Sequence, residues 1–357
     1  MKNYLFKLGG KAKKASIEIV KSKKKDKVLR DYCNLILKNH LKIISENKKD
    51  LEKAKKQKLK ENLIKRLLID KEKLLQIINS IKMIIKLKDP VNITLNKWKR
   101  PNGLKIKKVT TSIGVIAVIY ESRPNVTSDV ASLCFKSGNP VILKGGSEAY
   151  HSNKFFISLF RKALKKNKVN KDYVQFIDYK SRKVVDFLLT KMANFIDVII
   201  PRGGKNLVKK IQDLSKIPVI GHLEGICHTY IDNKADLSMS KKITLNAKLR
   251  NTAICGATET ILIHQKSLKK FCNPILSYLE ENGCKIVGDN KIKKFYKGKI
   301  KIAKESDWSK EYLSSIVSVK SVKNINEAIS HINKYGTMHT DAIITKNPKS
   351  AKIFLKK

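Results

Sequence analysis

The chain has 357 residues, 42% of them apolar, and a formal net charge of +47 at pH 7. This length and apolar content allow a large buried core and two or three domains, which excludes a disordered chain. No apolar run reaches the ~20 residues that span a bilayer, and the first residues lack a signal-peptide core, so we expect a cytoplasmic protein without membrane contact.

The positive charge by itself would suit a nucleic-acid-binding protein, because basic side chains neutralise phosphates. Only eight of the 77 basic residues are arginine, the side chain that bidentate phosphate recognition favours, and the lysines are spread along the whole chain. We therefore interpret the lysines as solvated helix faces and expect no nucleic-acid partner. The six cysteines form no C-x-x-C pair, which argues against a zinc site and against a disulfide framework.

The N-terminal quarter predicts a helical layer, because apolar residues recur at helical spacing between residues 10 and 87 without proline or glycine after Lys11. Asp89-Pro90 ends this pattern. The next segment, about 91–110, reads as two strands around a turn at Pro101-Asn102-Gly103. Its charged face and few core residues predict a projecting hairpin that pairs with another subunit.

From Ile113 onward apolar strands alternate with helices, which indicates a parallel sheet covered on both faces. We assign residues 1–234, including the helical layer and the hairpin, to a first α/β domain. A second α/β series predicts another domain over residues 235–357. The segment NTAICGATE, Asn251 to Glu259, lies in this second domain between a helical run and the strand-like TILIH. Loops at such junctions often carry chemistry, so Cys255 is a candidate nucleophile.

Several long motifs occur in a family order along almost the whole chain. They are ESRPNVTSD (Glu121 to Asp129), SGNPVILKGGSEA (Ser137 to Ala149), IIPRGG (Ile199 to Gly204), HLEGICHTYID (His222 to Asp232) and NTAICGATET. Together they resemble the gamma-glutamyl phosphate reductase family of the aldehyde dehydrogenase superfamily. The resemblance implies an aldehyde-dehydrogenase-like α/β fold with a cofactor-binding domain, a catalytic domain and an oligomerisation hairpin.

The resemblance also implies a reaction. Such an enzyme is an NADP-dependent glutamate-5-semialdehyde dehydrogenase of the phosphorylating type, which uses NADPH to reduce L-glutamyl 5-phosphate in the second step of proline biosynthesis. Cys255 matches the family's catalytic cysteine, which forms a thioacyl intermediate, although an isolated cysteine is also commonly a small buried hydrophobe. Asn125 matches an oxyanion-stabilising amide, although locally it could serve as the N-cap of the following helix.

The cofactor residues implied by the resemblance lie at strand ends. Lys144 follows the strand PVIL and would contact the adenosine ribose and its phosphate, with Gly145 and Ser147 beside it. Arg202, Gly203 and Gly204 open a helix whose N-terminus favours an anion. Glu311 would accept hydrogen bonds from the nicotinamide ribose. The local alternatives are a solvated side chain for Lys144, a tight turn for the two glycines, and an exposed acid near a helix start for Glu311.

The segment HLEGICH carries the candidate substrate-binding residues His222 and Glu224, and Arg123 is a third candidate. His222, Glu224 and His228 lie on a strand-like run that sends alternate residues to opposite faces, so we predict no metal site. Hydrolytic relatives hold a general-base glutamate in a corresponding ELGGK motif. The order HLEG here suits acyl-phosphate chemistry, in which water attack on the thioester must be avoided.

The family continues beyond the residue that matches Lys357, so the catalytic domain reads as truncated. We expect L-glutamyl 5-phosphate as substrate, glutamate 5-kinase as pathway neighbour and a homo-oligomer. Two alternatives are another acyl-transferring aldehyde dehydrogenase and a catalytically impaired member of the family. A third is a basic nucleic-acid binder.

Overall fold

The chain forms two compact units, Met1–Gly221 and His222–Lys357. The computed structural model describes residues 1–59, 61–121, 123–181 and 183–356. The division comes earlier than the predicted boundary after residue 234. The reason is the strand Cys227–Ile231, which the sequence analysis placed in the first domain and which hydrogen-bonds with Thr258–His264 in the second sheet.

The first unit begins with the helical layer that the sequence predicts. Its helices are α1 (Lys2–Ile17), α2 (Ser22–Lys38), α3 (His40–Lys56), α4 (Glu61–Leu67) and α5 (Lys71–Lys86). Apolar residues at helical spacing define the buried face of each long helix; in α2 these include Val28, Tyr32 and Ile36. Asp70 caps α5 by accepting a hydrogen bond from the Lys73 N–H.

The predicted hairpin is present as an antiparallel pair of strands, β1 (Thr94–Lys99) and β2 (Lys105–Val109), which pair Trp98 with Ile106. The turn lies at the predicted residues, where Gly103 has a φ of 86° and donates its N–H to the Arg100 carbonyl. Every residue of β1 is exposed. The hairpin therefore contributes little to the core of its own unit.

A parallel four-stranded sheet forms the centre of the first unit, with the strand order β5-β4-β3-β6. The strands are β3 (Ile116–Tyr120), β4 (Val141–Gly145), β5 (Val174–Phe176) and β6 (Val198–Arg202). The accompanying helices are α6 (Pro124–Lys136), α7 (Tyr150–Lys166), α8 (Lys183–Lys191) and α9 (Lys205–Leu214). Alternate residues of β3 enter different cores: Val118 packs with α2 and α7, and Ala117 packs with α1 and α8. The prediction of a sheet covered on both faces is confirmed.

The second unit contains a parallel six-stranded sheet with the order β10-β9-β11-β8-β7-β12. The strands are β7 (Cys227–Ile231), β8 (Thr258–His264), β9 (Lys285–Gly288), β10 (Ile300–Ile302), β11 (Ile316–Val322) and β12 (Asp341–Ile344). The helices are α10 (Leu237–Leu249), α11 (Leu268–Glu281), α12 (Asn290–Phe295), α13 (Ile325–Tyr335) and α14 (Pro348–Lys356). Single 3-10 turns occur at Ser147–Ala149, Lys171–Tyr173, Gln265–Ser267 and Glu305–Asp307.

The central strand β8 is buried along its whole length, with Ile261 and Ile263 packed in one core and Leu262 in the other. This strand follows directly after the Cys255 loop, so the sheet fixes one end of that loop. Among the described residues, none of the helices combines the length and apolar character needed to cross a bilayer.

Candidate active site

Cys255 lies in the turn-rich segment between α10 and β8, as the sequence predicts. It is half-buried, whereas the other five cysteines are buried. Burial raises the pKa of the Cys33 and Cys284 thiols to about 11 and that of Cys134, Cys227 and Cys272 to about 12. Since a thiolate is the reactive form, these five are unreactive at neutral pH. Cys255 is the most exposed of the six cysteines.

The Cys255 loop packs directly against the backbone of Gly225. A Cβ at position 225 would lie 1.9 Å from the Cys255 carbonyl oxygen and 2.8 Å from the Cys255 Cβ. Only glycine allows this approach. The Gly225 N–H in turn donates to the Oε1 atom of Glu311 at 2.9 Å. Glu311, a predicted cofactor contact, therefore holds the segment against which the Cys255 loop rests.

Two histidines lie next to Cys255. One ring nitrogen of His222, one of His339 and the Cys255 sulfur are all within 4.8 Å of one another. The imidazole rings of the two histidines meet edge-on, with centroids 4.6 Å apart and an interplanar angle of 77°. His339 also approaches the Cys227 sulfur at 3.7 Å and the Thr340 hydroxyl at 2.9 Å. Sequence reasoning found His222 but missed His339, because 84 residues of chain separate His339 from Cys255.

The histidines of HLEGICH do not converge. His228 is a buried strand residue whose Nδ1 lies 3.1 Å from Asp341 Oδ1, and its backbone N–H donates to the same carboxylate. His222, by contrast, lies against His339. The two histidines are separated because His222 lies in the irregular segment before β7, whereas His228 lies within that strand. Glu224 is half-buried in the same segment.

A buried ion pair flanks the Cys255 loop on both sides. Lys248, near the end of α10, contacts Glu259, the second residue of β8, at 2.5 Å, and both side chains are at most 1% exposed. Burial raises the pKa of Glu259, and the Lys248 ammonium opposes this shift. The other oxygen of Glu259 accepts the Leu313 N–H at 3.3 Å. The pair thus joins the two ends of the Cys255 loop to the segment that carries Glu311.

A cavity of about 690 Å³ lies in the first unit at the carboxyl ends of β3 and β4. Its lining includes three of the predicted cofactor residues, Lys144, Gly145 and Ser147, together with Lys180 and Lys210. The size falls within the ~300–1,000 Å³ range of small-molecule sites. Burial lowers the pKa of Lys144, and the nearby Glu148 carboxylate opposes this shift. The Lys144 ammonium donates to the Gly145 carbonyl at 2.8 Å.

The start of α9 already binds a carboxylate of the chain. Gly204, the N-cap residue, donates its N–H to the Oε2 atom of Glu121 at 2.9 Å. A Cβ at Gly203 would lie 2.6 Å from that same oxygen. Helix N-termini favour anions, so the carboxylate satisfies the preference that the sequence suggested for a cofactor phosphate. Arg202 lies at the end of β6 and is exposed.

Asn125 occupies the second position of α6, after Pro124, so it is not the N-cap of this helix; Arg123 is. The local alternative for Asn125 is therefore wrong, because the helix begins two residues earlier than the pattern suggested. The Asn125 amide donates to Asp129 Oδ2 at 3.3 Å, one helical turn onward. Arg123, predicted as a substrate contact, is half-buried at this helix start.

Comparison with known proteins identifies the family of this chain. A model of the aldehyde dehydrogenase family matches residues 23–291. The gamma-glutamyl phosphate reductase of Bartonella quintana is 44% identical over 97% of this chain and 84% of its own length. The chain belongs to the gamma-glutamyl phosphate reductases of the aldehyde dehydrogenase family. The family resemblance stated from the sequence is confirmed.

Solved structures of this family and of more distant relatives share the fold. The gamma-glutamyl phosphate reductase of Thermotoga maritima has a TM-score of 0.94 at 35% identity, with 99% of this chain and 85% of that chain covered. An acetylating aldehyde dehydrogenase from Geobacillus thermoglucosidasius has a TM-score of 0.66 at 17% identity over 99% of this chain and 83% of its own. The aldehyde-dehydrogenase-like fold predicted from the motifs is confirmed.

Proposed function

We propose that this chain uses NADPH to reduce L-glutamyl 5-phosphate to L-glutamate 5-semialdehyde and phosphate, the second step of proline biosynthesis. One observation carries the proposal. A chain that belongs to the gamma-glutamyl phosphate reductases presents Cys255 as its half-buried thiol, in a loop between a helix and a central strand.

In this proposal the Cys255 sulfur, as thiolate, attacks the acyl carbon of the substrate. A carbon–sulfur bond forms while the carbon–oxygen bond to phosphate breaks, and phosphate leaves with the electron pair. The bound nicotinamide cofactor supplies the hydride that reduces the thioester. The carbon–sulfur bond then breaks, the aldehyde leaves and the sulfur regains its electron pair. The oxyanion role of Asn125 and the substrate contacts of Arg123, His222 and Glu224 stay predictions.

The test measures the reverse reaction, in which the semialdehyde, phosphate and NADP⁺ give NADPH. Cys255→Ser should abolish the rate, because a hydroxyl in this loop lacks the nucleophilicity of a thiolate. Cys284→Ala, which removes a buried thiol of the same unit, should retain the rate. An unchanged rate in Cys255→Ser would refute the nucleophile. Activity with an acyl-CoA and none with the acyl phosphate would instead identify another acyl-transferring enzyme.

The preference for NADPH is assigned to the lysines of the first-unit cavity. Lys210 is paired with Asp186 at 2.6 Å, and the Lys180 ammonium lies 4.4 Å from the Tyr150 ring centroid. Lys144 is the most deeply buried of these cations, so its ammonium gains most from a phosphate. Arg202, Gly203, Gly204 and Glu311 stay predicted cofactor contacts.

Lys144→Met should raise the KM for NADPH about tenfold and change the KM for NADH little, since NADH lacks the 2′-phosphate. The control is Lys162→Met, which removes an exposed lysine of α7 outside the cavity lining. Equal effects of Lys144→Met on both cofactors would contradict the assignment to the 2′-phosphate.

The proposal also includes two partners: the enzyme that supplies the substrate, and further copies of this chain. An acyl phosphate is the product of a kinase, which agrees with glutamate 5-kinase as the preceding enzyme. The exposed apolar side chains of the hairpin, Leu95, Trp98 and Leu104, support a homo-oligomer formed through this segment. Trp98→Glu should lower the mass measured by analytical ultracentrifugation. An unchanged mass would contradict this role.

A further inference from the structure

We infer that His222, Cys255 and His339 form a binding site for a divalent transition-metal cation, with zinc as the preferred ion. Their donor atoms all lie within 4.8 Å of one another. Two imidazoles and one thiolate are ligands that zinc favours, and magnesium and calcium prefer oxygen. No sequence pattern indicates this set, because His339 reaches it from a distant segment.

The geometry needs only small side-chain movements. A tetrahedral zinc with bonds of ~2.3 Å to sulfur and ~2.0–2.1 Å to nitrogen has neighbouring ligand atoms about 3.3–3.6 Å apart. Donor atoms within 4.8 Å reach this separation by side-chain rotation. His222 is exposed, so its ring can adjust and a metal can enter from solvent. Three protein ligands leave a fourth position for water, as in open zinc sites.

Neighbouring groups favour this ligand set over others. The Thr340 hydroxyl lies 2.9 Å from His339 Nδ1 and orients the ring, which is the role that outer groups have around metal-binding histidines. The nearby Cys227 sulfur lies outside this set of donor atoms, and its thiol donates to the Cys255 carbonyl oxygen at 3.1 Å. The metal therefore takes the Cys255 sulfur.

Binding would make the nucleophile unavailable. The cation replaces the thiol proton, so that a sulfur–metal bond forms and one proton is released per ion bound. Zinc should then inhibit the reductase reversibly, and a chelator should restore the rate. This inhibition depends on the proposed role of Cys255 as nucleophile, whereas the binding of metal does not.

The first experiment measures metal binding by the chelator-treated full-length chain. Zinc is titrated in competition with a chromophoric chelator, and cobalt is added separately to record the near-ultraviolet absorption of a cobalt–thiolate bond. The unaltered chain should bind one ion and show this absorption. His339→Ala and His222→Ala should each weaken zinc binding at least about tenfold. The matched control is His40→Ala, which removes a histidine of the first unit outside the cluster and should change neither measurement.

A second experiment removes the sulfur from the proposed ligand set. Alkylation of Cys255 in the unaltered chain, and Cys255→Ser, should each abolish the cobalt–thiolate absorption. The inference is overturned if that absorption persists after alkylation, or if zinc affinity is the same in both histidine variants as in the control. If the unaltered chain is an active reductase and zinc affinity is unchanged in His222→Ala and His339→Ala, the metal site is overturned and the proposed function is not. If the unaltered chain binds zinc and shows the cobalt–thiolate absorption but has no reductase activity, the proposed function is overturned and the metal site is not.

Discussion

Gly225→Ala should displace the Cys255 loop and lower the enzymatic rate, with little change elsewhere in the structure. The added Cβ would lie 1.9 Å from the Cys255 carbonyl oxygen, and Cβ contacts below 3.0 Å essentially do not occur. The loop must therefore retreat by about 1.1 Å. A displacement of ~1 Å at a reacting group lowers the rate about 100-fold. This corresponds to about 2.7 kcal/mol of lost transition-state stabilisation.

The assay compares kcat/KM for the semialdehyde with the rate at which iodoacetamide alkylates Cys255. Two glycines of α1 provide controls. A Cβ at Gly9 would lie 2.8 Å from the Phe195 Cβ, so Gly9→Ala should destabilise the first unit by about 1–3 kcal/mol without touching the loop. At Gly10 the closest atom would be 3.9 Å away, so Gly10→Ala should be tolerated.

The comparison separates displacement of the loop from loss of folding. Gly225→Ala should lose activity at a temperature where thermal unfolding shows the variant to be folded, and Gly9→Ala should keep its activity at an equal distance below its Tm. If Gly225→Ala retains kcat/KM within threefold of the unaltered chain, the contact between Gly225 and the loop does not position the sulfur.

Two further predictions concern buried charge in the second unit. Lys248→Met should lower the free energy of unfolding by about 3–5 kcal/mol, because the buried Glu259 carboxylate loses its partner. A second change, Glu259→Gln, should recover part of this loss. A loss below about 1 kcal/mol in urea denaturation of Lys248→Met would contradict the prediction. Burial and the neighbouring Lys320 and His228 hold the pKa of His331 at about 3, below the ordinary value of 6.5. As the pH falls, the unfolded chain therefore takes up this proton before the folded chain does. The contribution of neutral His331 to the free energy of unfolding is full above pH 6.5 and falls as the pH drops toward 3. Between pH 7 and pH 5 this loss should reach about 2 kcal/mol, and His331→Gln should lack it; equal losses in both proteins would contradict the assignment.

Local features of the fold could be predicted from the sequence. Pro101-Asn102-Gly103 specifies its turn through the backbone preferences of neighbouring residues. Cys255 stands at a helix-to-strand junction that the change of hydrophobic period marks on both sides. The lysine-rich segment between β9 and β11 shows little hydrophobic periodicity, yet it contains α12 and β10. Asp289 starts α12 by accepting the Ile292 N–H at 2.7 Å, so the start of this helix does carry an N-cap signal.

Features that depend on pairing between distant segments could not be predicted. The strand Cys227–Ile231 reads as the end of the first α/β series, yet its partners β8 and β12 come later in the chain. Gly225 and His339 owe their importance to contacts with Cys255 across 30 and 84 residues of sequence. Hydrophobic periodicity and turn preferences describe neighbouring residues, so they give no information about these contacts.

At the start of α9 the sequence predicts the class of ligand, an anion, but not which anion binds there. Its glycines and helical N–H groups predict an anion, and the anion present is the carboxylate of Glu121. A cofactor phosphate at this position would have to displace that carboxylate or bear its repulsion. The cavity that Glu121 lines also offers the ammonium groups of Lys144, Lys180 and Lys210, which attract a phosphate. Lysines of the cavity are therefore the stronger candidates for phosphate recognition, and Gly204 can contribute only if Glu121 moves away.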